Sequence, residues 1–339
     1  MMEDNPSIEP NWMIFTGASV PHNGLANLPA PPPWRFPRPT QKLKPPRRAQ
    51  GTVEEEWRAS PFLLTKAMKV AVNAALYLRR PLLLTGKPGT GKSTLIAKVA
   101  HELRLGPVLR WPISSRSTVR GGVYDYDAVG RLQAGTRLAP PVQAYLKLGP
   151  LATALLARSW PRALLIDEID KSDLDFANDL LNVLEEGEFE IPELRRLRAS
   201  SATVSDFEGR LVSVERGRLQ SQQFPFVVMT SNGEREFPPP FLRRCVRLVI
   251  EPPTPQELFA IVLSHLDQHA GVLDRGKIAE LVIRFDAQNK ENRSTATDQL
   301  LNAVFLTVAM RDVEGRRFSE DELEALRMQL MQPLSGLGA

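Results

Sequence analysis

The sequence predicts an α/β fold: a parallel sheet sandwiched between helices, followed by a smaller helical domain. Three observations predict it. Short apolar runs recur at 82–85, 107–113, 163–166, 226–230 and 246–250, each with the length and character of a strand buried on both faces. Helix-like segments separate these runs, so strand and helix alternate along the chain. Beyond Pro255 the strand signal stops, and 255–270, 276–285, 295–310 and 319–331 read as helices.

The elements follow in order. Eleven of the 29 prolines fall in the first fifty residues, which excludes a regular helix or an interior strand there. Trp12, Ile14, Phe15, Trp34 and Phe36 interrupt this extended stretch, leaving two readings open: a solvated tail, or an arm that docks its aromatics on a neighbouring subunit or partner. Residues 61–79 have helical period, with Leu64, Ala67, Met68, Ala71, Ala75 and Leu78 on one face. The strand at 82–85 runs into a glycine-rich turn and a helix at 93–104; the strand at 163–166 leads into a helix at 174–184. Residues 187–223 break the alternation and read as a hairpin-like insertion with a mobile tip in the Arg- and Ser-rich stretch at 195–210. The expected organisation is an arm over 1–55, an α/β domain over 56–252 and a helical lid over 253–339.

Composition narrows the function. The 339 residues are 42% apolar and 24% charged, as in a globular protein. One cysteine, Cys245, excludes a disulfide framework and fits a reducing cytoplasm, and the four histidines show no ligand spacing. The longest apolar runs fall short of the ~20 residues of a membrane helix, and the N-terminus lacks a signal-peptide pattern, so a soluble cytoplasmic protein is expected. Net charge is +4, yet residues 35–48 alone carry six cations and the rest of the chain sums to −2. The positive charge belongs to the arm, which disfavours a nucleic-acid-binding surface.

Gly86, Lys87, Pro88, Gly89, Thr90, Gly91, Lys92 and Ser93 fit G-x-x-x-x-G-K-[ST], between a strand and a helix as that motif requires. Glycines let successive backbone N–H groups turn inward onto phosphate oxygens, and the helix N-terminus adds partial positive charge. Lys92 is placed for the β- and γ-phosphates, the Ser93 hydroxyl for Mg²⁺, and Thr94 continues the helix start. The run Leu164-Leu165-Ile166-Asp167-Glu168 ends a buried strand in two carboxylates. Asp167 suits Mg²⁺, and Glu168 suits a base that orients and deprotonates water. Asn232, after the strand at 226–230, should reach the same sheet edge, because parallel strands end on one side. Arg243 and Arg244 stand before the last strand, where a cation projecting from a subunit edge can serve a neighbour's site. Arg244 is the favoured candidate and Arg243 the alternative.

With these motifs the chain resembles an AAA+ ATPase over about 60–310, and more narrowly the MoxR branch. The helix and insertion from Leu180 to Phe189, Gly149-Pro150-Leu151, Thr230-Ser231-Asn232 and Phe241-Leu242-Arg243-Arg244 are similar to that branch. The resemblance implies a P-loop NTPase fold, ATP and Mg²⁺ as cofactors, Lys92 and Ser93 in Walker A, Asp167 and Glu168 in Walker B, Asn232 as sensor 1 and Arg244 as the arginine finger. It implies a sensor 2 arginine at a late helix, for which Arg293 is the candidate. Family members assemble as rings, usually hexamers, and remodel client proteins; the segment 14–35 looks like the leader of members encoded beside von Willebrand factor A-type or peptidase-type proteins. Tyr124 and Tyr126 occupy a region where related enzymes place pore loops, although packing beneath a loop is the simpler reading. An ATP-dependent assembly switch and a nucleic-acid motor are the competing classes.

Overall fold

The computed structural model describes residues 12–35, 43–46, 62–134, 140–156, 159–221, 223–265, 275–290, 297–309, 321, 322, 325 and 329. The chain divides into two units. One comprises 1–60, 64–85 and 93–249; the other comprises 61–63, 86–92 and 250–339.

The first unit is organised by a five-stranded parallel sheet. Its strands are β1 (Leu82–Thr85), β2 (Leu109–Pro112), β5 (Ala163–Asp167), β10 (Phe226–Ser231) and β11 (Val246–Val249), in the order β11-β1-β10-β5-β2. Leu82 pairs with Val228 and Val246, Phe226 with Ala163, and Leu109 with Leu164, so every pairing is parallel. β10 is buried along its whole length, which explains why it reads as an unbroken apolar run. Register aligns Thr85 with Ser231 and Pro112 with Asp167, so the C-terminal ends of the strands share one edge.

A second sheet, β3-β4-β7-β8-β9-β6, is built from β3 (Tyr124–Tyr126), β4 (Leu146–Leu148), β6 (Glu188–Glu190), β7 (Ser201–Ser205), β8 (Leu211–Glu215) and β9 (Arg218–Gln220). Residues 187–223 supply four of its strands, with β7 and β8 forming an antiparallel hairpin among them. The stretch expected as a mobile tip contains β7, which pairs along five residues with β8 and buries Ala202 and Val204. β7 also joins β4 in parallel, tying the insertion to a strand more than fifty residues upstream. Within the insertion, Gly217 must be glycine: its φ is +67° and an added Cβ would lie 2.5 Å from the Arg195 amide nitrogen.

The helices of this unit are α1 (Lys66–Leu78), α2 (Lys92–Glu102), α3 (Val119–Val123), α4 (Ala128–Gln133), α5 (Pro150–Leu155), α6 (Leu174–Glu186), α7 (Pro192–Arg195) and α8 (Pro239–Leu242). α1 starts later than expected because the Thr65 hydroxyl caps the Met68 amide. Its buried face is also rotated from the predicted one. Met68, Ala71, Val72, Ala75 and Leu76 are buried, whereas Ala67 and Leu78 are exposed.

The rotation has a cause in the N-terminal arm. The arm's described residues 12–35 dock on their own chain, which corrects the reading of a solvated tail. Asn73, fully buried on α1, accepts the Ile14 and Phe15 amides on Oδ1 (2.7 and 3.0 Å) and donates to the Phe15 carbonyl (2.8 Å). Glu102, fully buried at the end of α2, accepts the amides of Thr16, Gly17 and Ser19 and the Thr16 hydroxyl. Phe15 and Leu25 are completely covered; Trp12 packs edge-on to Tyr77, and Trp34 stays exposed.

The second unit contains α9 (Pro255–His265), α10 (Arg275–Lys290) and α11 (Thr297–Ala309), packed around Leu258, Val262, Ile278, Val282, Phe285, Leu300 and Val304. No helix among the described residues is long and apolar enough to cross a membrane.

Candidate functional site

The sheet edge carries the candidate chemistry. Asp167 closes β5, and Glu168 follows with φ 59° and ψ 50°, a left-handed conformation that costs a non-glycine residue about 1–2 kcal/mol. Strain of this kind persists where surrounding contacts enforce it. Thr230, buried in β10, supplies them: its hydroxyl donates to Asp167 Oδ1 (2.5 Å) and accepts from the Glu168 amide (2.9 Å). One side chain thus fixes both carboxylate residues.

Asn232 lies just beyond β10, and its Nδ2 donates to Glu168 Oε1 (3.3 Å). Its backbone is held by Asp170, whose Oδ2 accepts the amides of Asn232 (2.9 Å) and Glu234 (3.1 Å). Lys171 pairs with the other carboxylate oxygen of Glu168 at 2.5 Å, and that hydrogen bond raises the lysine's pKa. Thr230, Asp170 and Lys171 are the residues that reading the sequence missed. Thr230 was visible within the Thr230-Ser231-Asn232 run but not as the partner of Asp167 and Glu168, and Asp170 and Lys171 only as polar residues after β5. The contacts of Thr230 and Asp170 depend on pairing between β5 and β10, whereas Lys171 reaches back three positions to Glu168.

The glycine-rich loop, in the second unit, joins β1 to α2. Lys92 is folded back into it, its ammonium donating to the carbonyls of Gly86 (2.6 Å) and Lys87 (2.9 Å), while the Thr90 hydroxyl donates to the Lys87 carbonyl. Gly91 has φ +82°, and a Cβ there would come within 2.5 Å of the Phe62 ring. The loop therefore bends as the phosphate-binding motif requires, around a cation. Lys87, Pro88 and Gly89 form its turn, and Ser93 and Thr94 open the regular part of α2. Mg²⁺ favours one or two protein oxygens plus phosphate oxygens, and the Ser93 hydroxyl and Asp167 carboxylate have that chemistry.

Arg244 is not directed into open solvent. Its Nε pairs with Glu185 (3.3 Å) and its Nη1 donates to Asn182 (3.2 Å), both on α6. Arg243 is exposed and gives its carbonyl to Arg80 (3.0 Å). Arg293 lies outside the described residues. Tyr124 is buried, donating to Glu193 (2.8 Å) beneath the Arg120 guanidinium; burial and this bond push its pKa up to about 12. Tyr126 is bonded to Arg131. Both tyrosines pack, as the simpler reading expected.

Residues 81–245 match the sequence model described as AAA domain (dynein-related subfamily). No curated protein matches the chain. Among solved structures, it is similar to domain III of the Thermotoga maritima replication initiation protein DnaA, at 15% identity and a TM-score of 0.46, covering 83% of this chain and 99% of that one. The family match takes in the phosphate-loop motif and both strand-end motifs, and the strand order is that of a P-loop NTPase with a parallel central sheet. Residues 81–245 are therefore similar to an AAA domain, and the parallel sheet with its flanking helices has the AAA+ P-loop NTPase fold.

Proposed function

We propose that the protein hydrolyses ATP with Mg²⁺, assembles into a homo-oligomeric ring, and uses turnover to remodel or activate a partner protein, as a MoxR-like member of the AAA+ class. The observation that carries this is the Asp167–Glu168–Thr230–Asn232 cluster at one sheet edge. A strained glutamate held by a neighbouring strand, with an amide on its carboxylate, suits a base acting on water; a phosphotransferase has no use for one there.

The roles follow from chemistry. The loop from Gly86 to Gly91 presents N–H groups to the phosphates, and Lys92 neutralises the β- and γ-phosphate charge. Mg²⁺, held by Ser93 and Asp167, would offset charge developing on the phosphate oxygens. Glu168 takes a proton from the attacking water, and Asn232 orients that water or the γ-phosphate. Arg244, with Arg243 as the alternative, serves the adjoining protomer's site, and Arg293 is a further nucleotide contact. The client is a protein, with a von Willebrand factor A-type or peptidase-type partner fitting the resemblance.

The test is phosphate release by the full chain against Glu168→Gln. Loss of a general base predicts a fall of about 10²-fold or more with nucleotide binding kept. Negligible turnover in both proteins supports instead a nucleotide-controlled assembly switch. Salt-sensitive binding of DNA or RNA that survives deletion of 1–50 would favour a nucleic-acid motor.

A further inference from the structure

The turn carrying Arg243 and Arg244 is braced from three places. Arg80 binds the Arg243 carbonyl, Asn182 binds Arg244 Nη1, and Glu185 binds Arg244 Nε. Asn182 and Glu185 stand three apart on α6 and so share a face. The other oxygen of Glu185 is bound by Arg35 of the N-terminal arm, at 3.3 Å. One carboxylate therefore joins the arm to the candidate finger.

The three members differ in freedom. The Arg35 side chain is 7% exposed, its amide is turned onto the Pro32 carbonyl (2.8 Å), and its guanidinium faces the Phe224 ring at 6.0 Å. The side chains of Glu185 and Arg244 are 34% and 29% exposed. A half-exposed glutamate on a helix samples several rotamers. Binding Oε1 to an immobile cation selects one of them, and that choice aims Oε2 at Arg244. Asn182, being neutral, is the weaker brace. Arg35 and Arg244 share this single carboxylate, and the Arg80 charge acts on Arg35 as well, an excess of positive charge suited to a triphosphate approaching from outside.

We infer that Arg35 is a positioning residue for Arg244, acting through Glu185, so that the N-terminal arm sets how well one protomer completes its neighbour's site. The inference rests on the trans-acting role proposed for Arg244.

Mixed oligomers of the full-length chain test it. Donor protomers carrying Glu168→Gln present a finger edge without hydrolysing ATP; mixed in excess with wild type, they complete the wild-type sites. Phosphate release per wild-type protomer is then compared across donors. With Arg35→Met or Glu185→Gln added, donors should support roughly three- to tenfold slower release, the scale of a misplaced rather than missing group. Arg35→Lys, which keeps the ion pair, should restore most of it. A defect appearing in the partner's site, with wild-type nucleotide affinity in the donor, cannot come from damage to the donor's own pocket. If Arg244→Ala donors fail while Arg35→Met and Glu185→Gln donors match unmodified ones, the positioning role is overturned and the finger stands. If Arg244→Ala donors also match, the finger role falls and takes the inference with it. Should Arg35→Met not fold, Arg35→Gln takes its place, because it too removes the cation from Glu185 Oε1 while leaving the Glu185–Arg244 pair intact.

Discussion

Thr230→Val removes one oxygen from a buried position and changes little else in volume. That oxygen serves two contacts, donating to Asp167 at 2.5 Å and accepting from the Glu168 amide at 2.9 Å. A hydrogen bond to a charged group nets about 1.5–3 kcal/mol, and an unpaired amide costs about 1–3 kcal/mol. Because one hydroxyl makes both bonds, the two do not simply add, and a loss of about 2–4 kcal/mol of stability is expected. The catalytic effect follows from Glu168, whose left-handed backbone relaxes once its amide is released. A tenfold drop in kcat corresponds to about 1.4 kcal/mol, and a drop of ten- to a hundredfold with KM little changed is expected. Urea denaturation gives the first quantity and steady-state phosphate release the second, with Thr230→Ser as the variant that keeps the oxygen. A valine variant within about 0.5 kcal/mol of wild type and within twofold in kcat would refute the role assigned to this hydroxyl.

Asn73→Ala strips three backbone partners from the docked arm and should cost about 3–5 kcal/mol, read by denaturation, with faster proteolysis between 12 and 28. Gly91→Ala meets both a positive φ and the Phe62 ring, so affinity for a fluorescent ATP analogue should weaken about tenfold or more, while unfolding of the sheet domain stays near wild type. Burial pushes the Cys245 thiol up to about 12, so it stays protonated at pH 8; iodoacetamide should label native protein about a hundredfold more slowly than urea-unfolded protein. Equal rates would show that the turn before β11 opens readily.

Much of this was legible in the residues because the central strands are buried on both faces. Leu82–Thr85, Ala163–Asp167 and Phe226–Ser231 leave no doubt of period, and the glycine loop has a fixed spacing. The second sheet was hidden for the opposite reason. β3, β4, β6 and β9 have three residues each, and β7 is mostly Ser and Thr, so each strand is defined by its neighbour rather than by its own pattern. The arm escaped in a similar way. Ile14 and Phe15 announced burial, but nothing local says that a buried asparagine on α1 and a buried glutamate on α2 receive its backbone. The same holds for Arg244, whose partners lie some sixty positions upstream.

The left-handed backbone at Glu168 sets two demands against each other. Glycine or asparagine would sit there more comfortably, so a variant such as Glu168→Gly should tolerate heat at least as well as the parent while doing no chemistry. A screen that rewards robustness alone would therefore discard the very side chain on which turnover depends. Retention of a carboxylate at that spot across an engineered library would be a sign that selection had acted on work rather than on endurance.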